Sequence, residues 1–310
     1  MPTPLLLLSY GAPERQEDIF PFLHNLFSGK NVPAERMAAA VQKYERFAAK
    51  AGHYSPLNAE CRKLLTGIQQ IAPDLPLYWG NLFGHPLLTD TVAEMKHDGV
   101  EHALCFATSA FDSPSGNQHY AEALARAAGA NPPMTIEKLP LSFEHPLFID
   151  AQTERLLETH LTETPAPYIL FSAHSIPLAD AVRSHYVEQL QSTCRKVIEK
   201  SGVSIPWTLV YQSRSGRAEH WLEPDIKERI RELTAEGNIK SIIVVPIGFF
   251  CENMETEYDL DIEVGECCRA LGLSFHRAKA VGAIPPICRL IVELYWTHVP
   301  RAPMFPEPVA

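Results

Sequence analysis

The sequence predicts an α/β protein of two lobes, each with a four-stranded parallel sheet flanked by helices. Short apolar runs alternate with amphipathic segments along the 310 residues of the chain, which is the order that repeated strand–helix–strand units produce. Most of the apolar runs are nearly continuous, as expected for strands that helices cover on both faces. The runs fall into two groups of four, and we therefore expect two similar lobes.

A stretch of linker-like composition separates the two groups of predicted strands. The first group comprises Leu5–Ser9, Leu75–Gly80, Ala103–Thr108 and Met134–Leu139. The second group comprises Tyr168–Ala173, Thr208–Gln212, Ile239–Pro246 and Leu273–His276. Between them, Thr162–Pro167 has the composition of a linker. We place the lobes at residues 1–163 and 164–310.

Amphipathic segments between the strands predict the helices that cover the sheets. They are Asp18–Phe27, Ala34–Ala49, Cys61–Ile71, Asp90–His97, Tyr120–Ala128, Ala179–Lys200, Asp225–Glu236 and Glu252–Ala270. A final helix over about Pro286–Thr297 is expected to pack back towards the first lobe. The proline-rich tail after it is expected to be irregular. In such sheets ligands bind beyond the carboxyl ends of the strands, so the polar residues after each strand are the candidates for function.

Charge and cysteine usage exclude several classes of function. The formal net charge of −10 argues against a general nucleic-acid-binding protein, which needs a basic face to meet phosphates. The seven cysteines include no Cys-x-x-Cys pair, which favours free thiols in a reducing cytoplasm over disulfides or a cysteine-based zinc site. The glycine-rich motifs that bind dinucleotides or nucleotide phosphates are absent, which disfavours a nucleotide enzyme.

The N-terminus predicts a first strand and not a targeting segment. The apolar run Leu5–Leu8 is short, and no basic segment precedes it, unlike a signal peptide. No window approaches the roughly 18 apolar residues of a transmembrane helix. We therefore expect a cytoplasmic protein without a transmembrane segment.

His174 is the first candidate for catalysis. It follows the predicted strand Tyr168–Ala173, and its neighbours are small residues that leave room for a ligand. Pro177 then suits the first position of a helix. An imidazole with a pKa near about 6.5 is the natural proton acceptor at neutral pH. The alternative is a histidine that only forms a hydrogen bond at a strand end.

An acidic run follows the strand Ile239–Pro246. Glu255, Asp259 and Glu263 are spaced four residues apart, so on an α-helix they form a slowly drifting stripe. On a wider helix with i to i+5 bonding they would align more closely, and such segments tend to mark functional sites. Aligned carboxylates repel one another unless cations or protons lie between them, which suits the relay of protons or hydrated metal ions. The alternative is a solvated acidic face.

Arg214 lies beyond the strand Thr208–Gln212. Its guanidinium could bind a carboxylate through two hydrogen bonds. The alternative is a loop arginine in a surface ion pair.

Together these segments resemble the ferrochelatase family along nearly the whole chain. Ser172–Pro177 is the most specific match, and the strength of the resemblance lies in the order and spacing of all the motifs. The other motifs are Leu8–Pro13, Pro33–Arg36, Gly52–Asn58, Gly80–Asn81 with His85–Pro86, Tyr211–Gly216, Trp221–Asp225, and Pro246–Phe249 with Glu255 and Tyr258–Asp261.

The resemblance implies two Rossmann-like lobes of the chelatase type with a porphyrin cleft between them. The implied enzyme is a lyase of haem biosynthesis that inserts Fe²⁺ into a porphyrin, with His174 and Glu255 as the catalytic pair. The residues implied to handle the metal are His174, Glu255, Asp259 and Glu263. The residues implied to contact the porphyrin are Ser55, Asn81, Arg214 and Tyr10, the last on the face opposite His174.

The chain also departs from the family pattern. It has Glu252-Asn253 where the family usually has Asp-His, and Leu82 where an arginine is frequent. Some relatives bind an iron–sulfur cluster through a cysteine at the position of Asn117 and three cysteines near the C-terminus, whereas no cysteine follows Cys288 here. We expect no iron–sulfur cluster and no tightly bound cofactor, with Fe²⁺ as a substrate.

The N-terminal motifs resemble those of soluble enzymes of Gram-positive bacteria that act on coproporphyrin III. The resemblance therefore favours coproporphyrin III over protoporphyrin IX. The expected partners are the porphyrin and ferrous iron, with transient contact with neighbouring haem-pathway enzymes and no nucleic acid. The alternatives are a cobalt or nickel chelatase, a non-catalytic tetrapyrrole-binding protein, and a sugar- or nucleotide-binding α/β protein.

Overall fold

The computed structural model describes residues 2–29, 31–129, 134–159, 161, 166–214, 220–237 and 239–299. The predicted lobe boundary at residues 163 and 164, most of the predicted linker and the predicted irregular tail lie outside these residues.

Strands and helices alternate through both halves of the described chain. The first half contains β1 (Leu5–Ser9), β2 (Leu77–Asn81), β3 (His102–Ala107), β4 (Thr135–Lys138), α1 (Gln16–Leu26), α2 (Ala34–Ala51), α3 (Leu57–Ile71), α4 (Leu88–His97), α5 (His119–Ala128) and α6 (Pro146–Leu157). The second half contains β5 (Tyr168–His174), β6 (Trp207–Gln212), β7 (Ser241–Val245), β8 (Ser274–Arg277), α7 (Leu178–Val182), α8 (Tyr186–Ser201), α9 (Ile226–Ala235), α10 (Gly265–Ala270) and α11 (Pro285–His298). Two further segments are π-helices, π1 (Pro114–Gln118) and π2 (Thr256–Val264).

Each half forms a four-stranded sheet in which all neighbouring strands are parallel. The strand orders are β2-β1-β3-β4 and β6-β5-β7-β8, which confirms the predicted fold class. β1 and β5 are interior strands, and Leu5 to Leu8 of β1 are 0% exposed because helices cover both faces of the sheet. The strand order reverses beside β1 and beside β5, so the crevices beyond their carboxyl ends are the expected ligand sites.

A shared apolar core joins the two halves. Phe250, which follows β7, lies with its ring centroid 5.4 Å from that of Phe106 in β3 and 6.0 Å from that of Phe148 in α6. All three rings are buried, and burial of one such side chain contributes roughly 2–3 kcal/mol. This packing joins the first sheet to the second. We call the space at the carboxyl ends of β1 and β5 the cleft, where Tyr10 follows the first strand and His174 ends the second.

The last helix crosses back to the first half of the chain. α11 packs against α3 and α6, and the hydroxyl of Tyr295 donates to the carbonyl oxygen of Thr3 at 2.6 Å. α11 and α3 approach closely at Gly67, where an added Cβ would lie 2.5 Å from Sγ of Cys288 and would force that side chain to move.

Two predicted helices differ from simple α-helices. The segment Glu252–Ala270 contains π2, so the predicted wide helix is confirmed. The segment Ala179–Lys200 is divided into α7 and α8. At the break, the backbone N–H of His185 donates to Oδ2 of Asp112, in the loop after β3, at 3.4 Å. This hydrogen bond replaces the one that the same N–H would form in a continuous helix.

Candidate active site

Two side chains of the second lobe meet at the carboxyl edge of its sheet. His174 ends β5, and its Nδ1 lies 2.6 Å from the carbonyl oxygen of Ser175. The Nδ1–H therefore donates to that carbonyl and leaves Nε2 for another partner. Nε2 lies 3.5 Å from Oε1 of Glu255, and the two side chains are 33% and 39% exposed. The pair therefore lines the cleft and is not part of the core.

The Glu255 carboxylate changes the titration of His174. Burial alone would lower the pKa of the imidazole, but Glu255, the Ser175 carbonyl and Asp259 raise that pKa to about 9. Burial would raise the pKa of the Glu255 carboxyl, but His174 and Lys43 hold it below its usual value. At neutral pH the two groups form an imidazolium–carboxylate pair. The expectation that His174 has an ordinary pKa is therefore wrong, because a proton already resides on the ring.

The acidic stripe predicted beyond Glu255 is present on π2, and lysines from two flanking helices neutralise it. Nζ of Lys43 in α2 lies 2.9 Å from Oδ1 of Asp259. Nζ of Lys227 in α9 lies 2.8 Å from Oε2 of Glu263. The repulsion expected among aligned carboxylates is therefore relieved by cations of the protein itself.

The four residues predicted to handle the metal do not form one ligand set. Within the described ranges, no group of three or more His, Cys, Asp or Glu side chains could hold a metal ion together. His174 and Glu255 face each other, whereas Asp259 and Glu263 are each bound to a lysine. An iron ion moving along π2 would meet these groups in succession and would compete with the lysines. Their part in iron handling stays a prediction.

Asp259 is held by both lobes. Besides the contact with Lys43, its Oδ2 accepts a hydrogen bond from the hydroxyl of Ser213, which follows β6. Ser213 has φ 62°, a left-handed conformation that non-glycine residues adopt only where the surroundings hold them. Burial raises the pKa of Asp259, and Lys43 and Ser213 offset only part of that rise. A cavity of about 200 Å³ opens beside Asp259, lined in part by Lys43, Ser213 and Lys227.

Tyr10 follows β1, the interior strand of the first sheet. Its side chain is 37% exposed, and its ring centroid lies 4.6 Å from that of Phe83. Burial and the Glu255 carboxylate raise the pKa of Tyr10 far above its usual value, so the phenol stays protonated at physiological pH. The influence of Glu255 shows that Tyr10 lies close enough to interact with the pair electrostatically.

Arg214 and Ser55 have partners within the protein. The guanidinium of Arg214 lies 3.5 Å from Glu228 and 3.7 Å from Glu223, and it lines the cavity beside Asp259. These distances are long for charged hydrogen bonds, so the guanidinium can exchange partners. The hydroxyl of Ser55 accepts a hydrogen bond from the backbone N–H of Leu57 at 3.3 Å, at the start of α3. Their contacts with the porphyrin stay predictions.

Asn81 has a structural role in this structure, and its contact with the porphyrin stays a prediction. The side chain is 0% exposed. Its Oδ1 accepts hydrogen bonds from the Ser9 hydroxyl at 2.8 Å and from Trp79 Nε1 at 3.0 Å, and its Nδ2 donates to the carbonyl oxygen of His85 at 3.0 Å. An amide that is bonded at both ends cannot bind a ligand without losing these bonds. Asn81 instead fixes the loop that follows β2.

Lys43 and Lys227 belong to this site although nothing in the sequence singled them out, and Ser213 was indicated only as one of the polar residues after a strand. Each lysine lies on an amphipathic helix, where a charged residue normally predicts a solvated face. The only usable signal was the position of Ser213 directly after a strand.

The sequence is similar to proteins of one family along nearly its whole length. The family model described as Ferrochelatase matches residues 2–299. A ferrochelatase of Rhodopirellula baltica is 39% identical over 300 residues, covering 93% of this chain and 84% of the relative. A coproporphyrin III ferrochelatase of Frankia alni is 40% identical over 309 residues, covering 94% of this chain and 78% of the relative.

Among solved structures, the fold is similar to that of SirB from Bacillus subtilis with Fe³⁺. The TM-score is 0.61 at 12% identity, and the match covers 96% of this chain and 95% of that one. At this identity the likeness concerns the fold alone. None of the helices in the described part of the chain has the length and apolar character that a membrane crossing requires.

Proposed function

Because the chain belongs to the ferrochelatase family, we propose that it inserts ferrous iron into coproporphyrin III as an enzyme of haem biosynthesis. The observation that carries the proposal is the His174–Glu255 pair at the carboxyl edge of the second sheet, where Nε2 lies 3.5 Å from Oε1. The chain that holds this pair matches the family model over residues 2–299.

Metal insertion requires that protons leave the macrocycle. A free-base porphyrin is flat and holds two N–H groups inside its ring, so iron cannot enter until the ring bends and the protons depart. A cleft that grips a bent ring contributes binding energy to this distortion. The reaction exchanges Fe²⁺ for two protons, and its charge balances without an oxidant or a nucleotide.

The protonation state of the pair defines its role in that exchange. His174 is an imidazolium at neutral pH in the free protein, so Glu255 is the member that can first accept a proton. An approaching Fe²⁺ lowers the affinity of His174 for its own proton, because two cations repel. Once Glu255 has passed its first proton on to Asp259, the proton of Nε2 moves to the freed Glu255 carboxylate, whose Oε1 lies 3.5 Å away. Nε2 is then a base that can accept the second porphyrin proton. Asp259, with its raised pKa, is the next acceptor behind the pair.

The choice of coproporphyrin III rests on the relatives and on charge. Relatives from Frankia alni and Nocardia farcinica carry the name coproporphyrin III ferrochelatase at 40% and 38% identity. Coproporphyrin carries propionates where protoporphyrin IX carries vinyl groups, and among the described residues the guanidinium of Arg214 forms long ion pairs with Glu223 and Glu228. A substrate carboxylate can replace these partners and form a bidentate pair.

We extend the proposal to the setting of the enzyme. We propose that the chain holds no iron–sulfur cluster, because asparagine stands at position 117, where the family resemblance places the first cluster cysteine. The seven free thiols suit a reducing cytoplasm. Transient contact with neighbouring haem-pathway enzymes would pass a poorly soluble porphyrin onward without release.

The test is anaerobic insertion of Fe²⁺ into coproporphyrin III and protoporphyrin IX in parallel, followed by absorbance. We expect faster turnover with coproporphyrin III. Equal or faster turnover with protoporphyrin IX contradicts the substrate assignment. Turnover with Co²⁺ or Ni²⁺ but not Fe²⁺ would indicate another chelatase, and tight porphyrin binding without metallation would indicate a carrier.

A further inference from the structure

The two residues that precede Glu255 form a helix cap. Oδ1 of Asn253 accepts hydrogen bonds from the backbone N–H groups of Glu255 and Thr256, both at 2.9 Å. Residues 254–255 are helical and continue directly into π2. Asn253 therefore occupies the N-cap position of the helical segment that carries Glu255, and its side chain satisfies two N–H groups that lack helical partners.

Thr256 closes the cap from the other side. Its hydroxyl oxygen accepts a hydrogen bond from the backbone N–H of Asn253 at 3.0 Å, and the hydroxyl can donate to Oε2 of Glu252 at 2.7 Å. This is the reciprocal arrangement of a capping box, with threonine in the place of the usual glutamate. The backbone on both sides of Glu255 is thus hydrogen-bonded to neighbouring side chains.

Glu252 and Arg277 anchor the cap to the second sheet. Nη1 of Arg277 lies 2.8 Å from Oε1 of Glu252, and Oε1 also accepts from the backbone N–H of Ala280 at 2.8 Å. The same guanidinium donates to both carboxylate oxygens of Asp261 on π2, at 2.6 and 2.7 Å. The Arg277 side chain is only 9% exposed, so one buried cation from β8 holds the segment before the helix and the helix itself.

We propose that Asn253 is a positioning residue for metal insertion, which holds Glu255 in reach of His174 through the backbone of Glu255. The contact between the two catalytic side chains is 3.5 Å long, beyond the range of a strong charged hydrogen bond, so it cannot fix the Glu255 side chain by itself. The position of the carboxylate then depends on the backbone to which it is attached, and the cap fixes that backbone. This role rests on the proposed function.

The test compares Asn253→Ala with Asn253→Asp, which keeps a cap oxygen. We expect Asn253→Ala to lower kcat about tenfold, because a small misplacement of a catalytic group has effects of that order. The KM for coproporphyrin III should stay within about twofold, because the cap acts through the backbone of Glu255, and Asn253→Asp should restore most of kcat. In hydrogen exchange, the amides of Glu255 and Thr256 should exchange faster in the Ala variant and at the original rate in the Asp variant.

Ser201→Ala is the matched control. It removes the hydrogen bond of 2.8 Å from the Ser201 hydroxyl to the carbonyl oxygen of Ile198, at the C-terminal end of α8. This end of α8 lies at the amino edge of the second sheet, whereas His174 lies at its carboxyl edge. Its kcat should equal that of the wild type. Wild-type kcat in Asn253→Ala, or no recovery in Asn253→Asp, would overturn the positioning role. A wild-type chain that metallates no porphyrin would instead overturn the proposed function, and unchanged amide exchange would overturn the cap itself.

Discussion

Replacement of Glu255 by glutamine tests the electrostatic coupling at the centre of the site. Glutamine keeps the shape of the side chain and removes the charge that raises the pKa of His174. Without that charge, burial is the largest influence on the ring, and we expect the pKa of His174 to fall from about 9 to near or below its ordinary value of about 6.5.

The size of the effect follows from the geometry of the pair. A rise of the pKa from 6.5 to about 9 corresponds to an upper limit of about 3 kcal/mol, at about 1.4 kcal/mol per unit. The two side chains are 33% and 39% exposed, so solvent screens their interaction. We therefore expect the pair to contribute about 1–2 kcal/mol to the free energy of unfolding.

The contribution depends on pH in a defined direction. Because the folded-state pKa of His174 is raised, the stabilisation is fully present below the unfolded pKa of about 6.5 and is lost as pH rises through about 9. On the acid side it is lost as pH falls through the lowered pKa of Glu255. The difference between wild type and Glu255→Gln should thus be largest near pH 6 and should shrink towards pH 9.

The assay is urea unfolding of both proteins at pH 6, 7.5 and 9, with an NMR titration of the His174 ring. Glu266→Gln is the control, because its partner Lys50 lies 2.9 Å away in a pair that is more than half exposed on both sides, and no histidine takes part in it. Its effect should be small and constant over this pH range. A constant stability difference for Glu255→Gln between pH 6 and 9, or an unchanged His174 titration, would refute the coupling.

Three further predictions follow from contacts at the site. His174→Ala should lower kcat about 10²–10⁴-fold, the usual contribution of a general base, while thermal unfolding stays close to wild type; normal turnover would show that the base assignment is wrong. Lys43→Met should raise the pKa of Asp259 further, because it removes the cation that offsets part of the rise caused by burial. The acid limb of the pH–rate profile should then move to higher pH, and an unmoved limb would exclude Asp259 from the proton path. Asn81→Ala should lower the free energy of unfolding by about 1–3 kcal/mol, because the Ser9 hydroxyl and the Trp79 N–H lose their buried acceptor. The KM for porphyrin should not change, and a raised KM would show that Asn81 contacts the porphyrin.

Much of the fold was predictable from local pattern. All eight predicted strands lie within two residues of the observed ones, because strands covered on both faces need continuous apolar runs. The wide helix was implied by the family resemblance, whereas the spacing of Glu255, Asp259 and Glu263 alone was compatible with an α-helix or with a wider one. α6 was not predicted, because its polar residues Gln152 and Thr153 are buried together with its apolar ones and blur the helical period.

The candidate site was predictable in its residue types and not in its electrostatics. His174 and Glu255 could be found from their places after strands and from the family motifs. Their pKa values, the lysines on the acidic stripe and the buried state of Asn81 could not, because each depends on distances between segments far apart in the sequence. Lys43 and Asp259 are separated by 216 positions, yet their side chains lie 2.9 Å apart.

The sequence by itself thus determined the two-sheet architecture and the family, and it singled out His174 and Glu255 as the candidate catalytic pair, since these depend on local periodicity and on motifs. Only the tertiary structure decided the charge state of that pair and the partners of the carboxylates behind it. The physical reason is that a short apolar run or a motif is a property of neighbouring residues, whereas a pKa depends on the burial and on the charges that folding brings within a few ångströms.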